Sequence, residues 1–173
     1  MKRMAAKRVC NRTVSIKRGE NNMISICGTE CCKDCSRLAA CGGCEQVDGH
    51  PFGGVCVAAE WVKDGGLENL ARQKDRLVKE VNALGVKGLQ VDDLYYLSGC
   101  YVNLEYRLSN GTSIKLLEDN KVYLGNQIEI PGTERCYGVV GDAEYLLVCA
   151  YGSGGSDPEI IVYRKRNCEV KGA

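Results

Sequence analysis

The clearest periodic pattern in the chain is helical. Between residues 67 and 84, Leu67, Leu70, Leu77, Val78, Val81 and Leu84 recur at helical spacing. Arg72, Lys74, Asp75, Arg76, Lys79 and Glu80 mostly fill the opposite face. Asp64 or Gly66 is placed to cap the start, and Gly85 stands where a C-terminal cap glycine belongs. The segment from Val91 to Leu97 predicts a further helical turn or two.

From Tyr101 the period changes to two. Val102, Leu104, Tyr106 and Leu108 alternate with Asn103, Glu105 and Arg107, and Asn110-Gly111 then predicts a two-residue hairpin turn. Ser113 to Leu117 forms the returning strand, and Lys121 to Ile130 the next, ended by Pro131-Gly132. Strands near Cys136 to Val140 and Tyr145 to Tyr151 are separated by Gly141-Asp142, and Ile160 to Lys165 is the last. The chain thus predicts an α+β fold in which one amphipathic helix precedes six or seven antiparallel strands, as a meander, a curled sheet or a small barrel. Gly152 to Ser156 reads as a glycine-rich hairpin tip, since it carries no P-loop lysine and precedes no helix.

Residues 23–60 obey neither period. Ile24 and Ile26 suggest a short lead-in, after which glycines at 28, 42, 43, 49, 53 and 54 and few large apolar groups predict loops organised around something other than a core. Residues 1–22 have no apolar pattern and read as a basic tail, with Met23 as an alternative start. The expected division is a tail at 1–22, a cysteine-rich box at 23–60, and a helix plus antiparallel β domain at 61–173. The last of these carries its own apolar faces and is expected to fold alone.

Charge sharpens this division. Residues 1–26 hold seven bases against Glu20, so a chain of net charge +1 has an acidic body. That body disfavours nucleic acid as a partner, although the box and tail together keep a nucleic-acid-binding module among the alternatives. No stretch is apolar enough to span a membrane. The basic N-terminus has no apolar segment behind it, so a cytoplasmic, reducing setting is expected.

In that setting twelve cysteines point to metal or redox chemistry rather than disulfides. Seven fall within thirty residues: Cys27, Cys31, Cys32, Cys35, Cys41, Cys44 and Cys56. Cys32 with Cys35, and Cys41 with Cys44, have the Cys-x-x-Cys spacing that lets one turn of backbone present two thiolates to one ion. Two such pairs complete a tetrahedral sulfur shell, so zinc is the expected ion, with an iron–sulfur cluster as the alternative. His50 would be an eighth donor and would permit two ions, but it precedes Pro51 in a glycine-rich loop and reads as a surface residue. Cys100, Cys136 and Cys149 lie in or beside apolar strands and read as core, while Cys10 and Cys168 lie near the termini.

The run ICGTECCKDC, then CGGC, then GVC resembles the box of a bacterial family of unknown function whose members are small cytosolic proteins. The family pattern falls on Cys27, Gly28, Cys31, Cys35, Cys41, Gly43, Cys44 and Cys56. Cys35 comes one residue late and Cys32 is additional, so both stay open as the third ligand. The resemblance covers about 35 residues of the box. It implies metal binding and no particular reaction. With one histidine and no activated serine motif, the chain offers no nucleophile–base constellation. The expectation is a non-enzymatic binding or regulatory module that holds a protein or small-molecule partner. An iron–sulfur or thiol redox role is the alternative.

Overall fold

The computed structural model describes residues 25–33, 35–98 and 104–166. The basic tail, and Cys10, Cys100 and Cys168, lie outside them.

Two helices and seven strands make up the described fold. Helix α1 is a single turn, Leu38–Cys41, and α2 spans Val57–Asn82. Helix α2 is broken at Gly65 (φ −175°, ψ 29°) and Gly66 (φ 73°, ψ −174°), the second of which is a conformation open only to glycine. The part after the break, residues 67–82, is the helix that the periodicity predicts, with Leu70, Leu77 and Val81 buried and Gly85 left-handed beyond its end. The part before the break, residues 57–64, goes unannounced because eight residues are too few to display a period. Its Val57, Ala58, Ala59 and Trp61 are all buried.

Past α2 the Asn82 amide holds both the N–H and the carbonyl of Val91, at 2.9 and 2.8 Å. The expected helical turns at Val91 to Leu97 do not form. Tyr95–Ser98 is instead strand β1, because Tyr-Tyr-Leu-Ser suits a pleated edge and β4 offers the backbone partners.

The main sheet is an open antiparallel meander in the order β1-β4-β5-β6-β7, with β4 at Val122–Glu129, β5 at Cys136–Gly141, β6 at Tyr145–Tyr151 and β7 at Glu159–Lys165. It does not close into a barrel. Strands β2 (Glu105–Arg107) and β3 (Ser113–Lys115) pair separately as a two-stranded sheet. Their turn is one residue longer than expected. Leu108 and Thr112 still pair (2.8 Å), and only Gly111 has positive φ (86°), so Ser109, Asn110 and Gly111 form a three-residue loop. Ile130-Pro131-Gly132-Thr133 closes through Thr133 N–H to Ile130 carbonyl (3.1 Å) with Gly132 at φ 78°, as the proline and glycine require of a type II turn.

Both faces of the sheet are covered. On one, Leu124, Val139, Leu146 and Val148 pack with Leu77 and Val81 of α2. The helix approaches so closely that a Cβ on Gly141 would stand 2.7 Å from Leu77 Cδ2. On the other face, Tyr123, Val140 and Leu147 pack with Leu116 and Leu117, which follow β3. The chain past β7 is fastened by Arg166, whose Nε and Nη2 donate to Glu80 of α2 at 3.0 and 3.1 Å. No helix of the described residues is long and apolar enough to cross a membrane.

Candidate metal centre

The box is built from tight backbone turns. Gly28, left-handed at φ 76°, donates to the Ser25 carbonyl (2.8 Å) and brings Cys27 inward. Cys35 N–H reaches the Cys32 carbonyl (3.3 Å), and α1 then ends at left-handed Gly42, whose N–H donates to Leu38 (2.7 Å). Gly49 ties two cysteines together: its N–H donates to the Cys44 carbonyl (2.8 Å), and its carbonyl accepts from Cys56 N–H (3.1 Å). A Cβ on Gly49 would lie 2.6 Å from the Cβ of Ala59, so the loop presses directly on α2. On the other side Val122 N–H donates to the Val55 carbonyl (2.8 Å), and Cys56 bridges Val122 of β4 in parallel. Cys56 is thus at once the last cysteine of the box, the residue at the N-cap position of α2 and a neighbour of the sheet.

Cys27 and Cys56 are buried, Cys32, Cys35, Cys41 and Cys44 are half-buried, and Cys31 is exposed, all as free thiols. Cys27 is the thiolate of the group. A hydrogen bond from the Cys31 thiol, helped by the hydroxyls of Ser25 and Thr29, holds it down to about 5 against the penalty of burial. The sulfur lies 3.2 Å from Ser25 Oγ and 2.9 Å from Thr29 Oγ1. Cys31 is pushed up, chiefly as the donor to Cys27. Burial raises Cys44, with the fields of Cys27, Cys32 and Cys41 adding to it. Burial also raises Cys56, to about 11, and the fields of Cys27 and Cys44 act in the same direction. The Tyr96 phenol on β1 is raised by burial first, then by the field of the Cys27 thiolate and a hydrogen bond to it.

These mutual influences mark one neighbourhood. Cys27 lies within reach of Cys31, Cys44 and Cys56, and Cys32 lies within reach of Cys31 and of Cys44, whose N–H its sulfur accepts at 3.4 Å. Cys41 reaches this neighbourhood only through Cys44, and Cys35 contributes the backbone of the turn before α1. His50 faces elsewhere, with Nδ1 2.7 Å from the Asp48 carbonyl and Nε2 3.9 Å from Glu60. Among the described residues no group of three or more histidine, cysteine, aspartate or glutamate side chains stands in metal-holding geometry. The donors are nevertheless sulfur, and one of them sits as the thiolate that zinc takes as ligand, so the chemistry of the set fits that ion.

Tyr96 escapes the sequence because a residue forty positions beyond Cys56 carries no spacing signal. Ser25 and Thr29 flank Cys27 at two residues on either side and could have been read from the run Ser-Ile-Cys-Gly-Thr. Cys149 is fully buried, with its thiol 3.7 Å from the Gly138 carbonyl, and belongs to the core as expected. A groove of about 1170 Å³ opens among Trp61, Lys121, Tyr123, Asp142, Tyr145 and Arg166. Its cations are engaged within the fold, Lys121 with Asp142 (2.6 Å) and Arg166 with Glu80.

Comparison with known proteins returns no match: no family model fits the chain, and no curated protein or solved structure is significantly similar to it. The resemblance noted for the box rests on its own motif.

Proposed function

We propose that this protein is a zinc-binding module, in which the ion fastens the cysteine box to the helix and sheet and so holds a surface for a protein or small-molecule partner. The observation that carries this reading is that thiols from three separate stretches, Cys27 with Cys31, Cys44, and Cys56, lie within electrostatic reach of one another, Cys27 among them as the thiolate, with the Cys32 sulfur accepting the Cys44 N–H at 3.4 Å. Four sulfurs complete a closed tetrahedral shell, and a closed shell is the mark of a structural ion rather than a catalytic one. Cys32 is the nearest substitute ligand, and Cys35 and Cys41 are surplus in this reading. On this reading the setting is a reducing one, in which the thiols stay available to an ion.

Elemental analysis of protein purified without oxygen tests this directly. One zinc per chain in a colourless preparation is expected. Cys44→Ser and Cys56→Ser should each abolish stoichiometric zinc, while Cys41→Ser should retain most of it. A brown preparation containing iron and sulfide would replace zinc with a cluster. Retention of full metal by both Cys44→Ser and Cys56→Ser would end the assignment.

One observation favours a second reading, thiol redox chemistry. A thiolate held low beside a donor thiol four residues away is the arrangement of a reactive dithiol. It predicts metal-free protein that forms one Cys27–Cys31 disulfide on mild oxidation.

A further inference from the structure

Strand β7, Glu159–Lys165, ends the sheet. Its one neighbour in the sheet is β6, so among the described residues its other edge presents unpaired backbone groups. Seven residues make it a long edge, where β1 at the opposite side has four. Edge strands in stable proteins are ordinarily kept short, charged along their length or covered. The middle of β7 is Ile-Ile-Val-Tyr, with Ile160 and Ile161 each 36% exposed and Tyr163 64% exposed. Tyr163 stacks on exposed Tyr145 of β6 at 5.6 Å between ring centres, which extends the apolar strip over two strands.

The charges of the strand are arranged by end. Glu159 opens it, and Arg164 and Lys165 close it, all three exposed. We infer that β7 pairs antiparallel with β7 of a second copy of this chain, giving a ten-stranded sheet across a two-fold axis. An antiparallel strand laid against itself brings its start to its end, so Glu159 of each copy faces Arg164 or Lys165 of the other. The same strand laid parallel in register would set Glu159 on Glu159 and cation on cation. Opposite charges directly across a strand pair are favourable and like charges are not, so the sequence selects the antiparallel arrangement. The register shift in β7 between the partners of Val148 and Cys149 marks a bulge near Ile161, the middle of the strand. A two-fold axis there sets bulge against bulge and leaves both ends of each strand free to pair. Because the contact is isologous, it consumes the free β7 edge of both copies. Assembly therefore stops at two.

Sedimentation over a concentration series tests this on the full chain. The expected result is a reversible monomer–dimer equilibrium. Glu159→Lys should weaken it about tenfold or more, and so should the double change Arg164→Glu with Lys165→Glu, since attraction becomes repulsion at both ends. Unchanged melting of each variant shows that the fold survives substitution at these exposed positions. Mixing the two variants should restore dimers, now as heterodimers, because each supplies the charge that the other lacks. The inference is overturned by a wild-type chain that stays monomeric throughout, by dimers indifferent to both charge reversals, or by two variants that fail to pair on mixing. It is equally overturned if the full chain is monomeric and deletion of residues 1–22 makes it dimeric, for then the chain's own basic segment occupies the edge.

Discussion

Cys27 shows how little of a site lies in residue type alone. Seven cysteines share the box, yet one of them is held as a thiolate near neutral pH. Its partners are a thiol four residues on, two hydroxyls two residues away and a phenol on a distant strand. The motif spacing made the box legible, because Cys-x-x-Cys pairs are a local property of sequence. It did not rank the cysteines. The spacing pointed to Cys32 with Cys35 and Cys41 with Cys44, and the motif added Cys27, Cys31 and Cys56; in the fold, the start of α2 and strand β4 carry Cys56 inward, within electrostatic reach of Cys27 and Cys44. A titration follows from the lowered thiol. In metal-free, reduced protein, thiolate ultraviolet absorbance should gain about one group near pH 5, and Cys27→Ser should remove that step. The effect on stability has a definite sign. A thiol lowered on folding stabilises fully above its unfolded value, and this contribution is lost as pH falls toward 5. Cys56, raised to about 11, acts oppositely, and its contribution fades as pH rises from 9 to 11. Stability of the metal-free protein should therefore rise with pH between 5 and 9 and decline above, as denaturant melts at several pH values would record.

At the scale of elements, alternation and breakers carried most of the information. Strands β4 to β7 and the second segment of α2 fall where the sequence placed them, because long runs and Pro-Gly or Gly-Asp punctuation leave few alternatives. The misplaced elements are short and decided by neighbours. Four residues became β1 because β4 had an edge to fill, and Asn82 fixed the approach. The first segment of α2 needs Gly65 and Gly66 to turn the chain before the predicted helix begins. Gly66 has open space where a Cβ would sit, so an alanine there meets no atom and tests the backbone alone. At φ 73° and ψ −174° the strain should cost about 1–3 kcal/mol, seen as a lowered urea midpoint with unchanged slope. An unchanged midpoint would mean that the break relaxes into continuous helix at no cost.

For the whole molecule the question is whether the box is an appendage or part of one core. A division at residue 60 rests on composition, and composition does change there. The packing runs across it. Cys27, Cys56, Val57, Ala58, Ala59 and Trp61 share a single cluster with Leu77, Leu124 and Val148, and α2 itself passes through residues 60 and 61 without a break. Gly54 sits so tightly against the loop before β4 that a Cβ would stand 1.6 Å from the Asn120 carbonyl oxygen. A chain shortened to begin at Trp61 therefore loses buried surface from the main core, not a separate module. Val57 alone, at 4% exposure, should contribute about 1.5–3 kcal/mol. Domains of this size keep only 5–15 kcal/mol in total, so several such losses together remove a large share. The shortened chain should unfold at much lower urea and with a shallower transition than one beginning at Ser25, which retains the box. Restoring residues 57–60 should recover part of the difference without any of the box cysteines, and the rest should return only with the box and, on the proposed function, the zinc it would bind. If the Trp61 fragment unfolds as cooperatively and at the same midpoint as the longer chain, the box is an independent unit. The ion would then fasten loops alone, rather than joining the box to the helix and sheet.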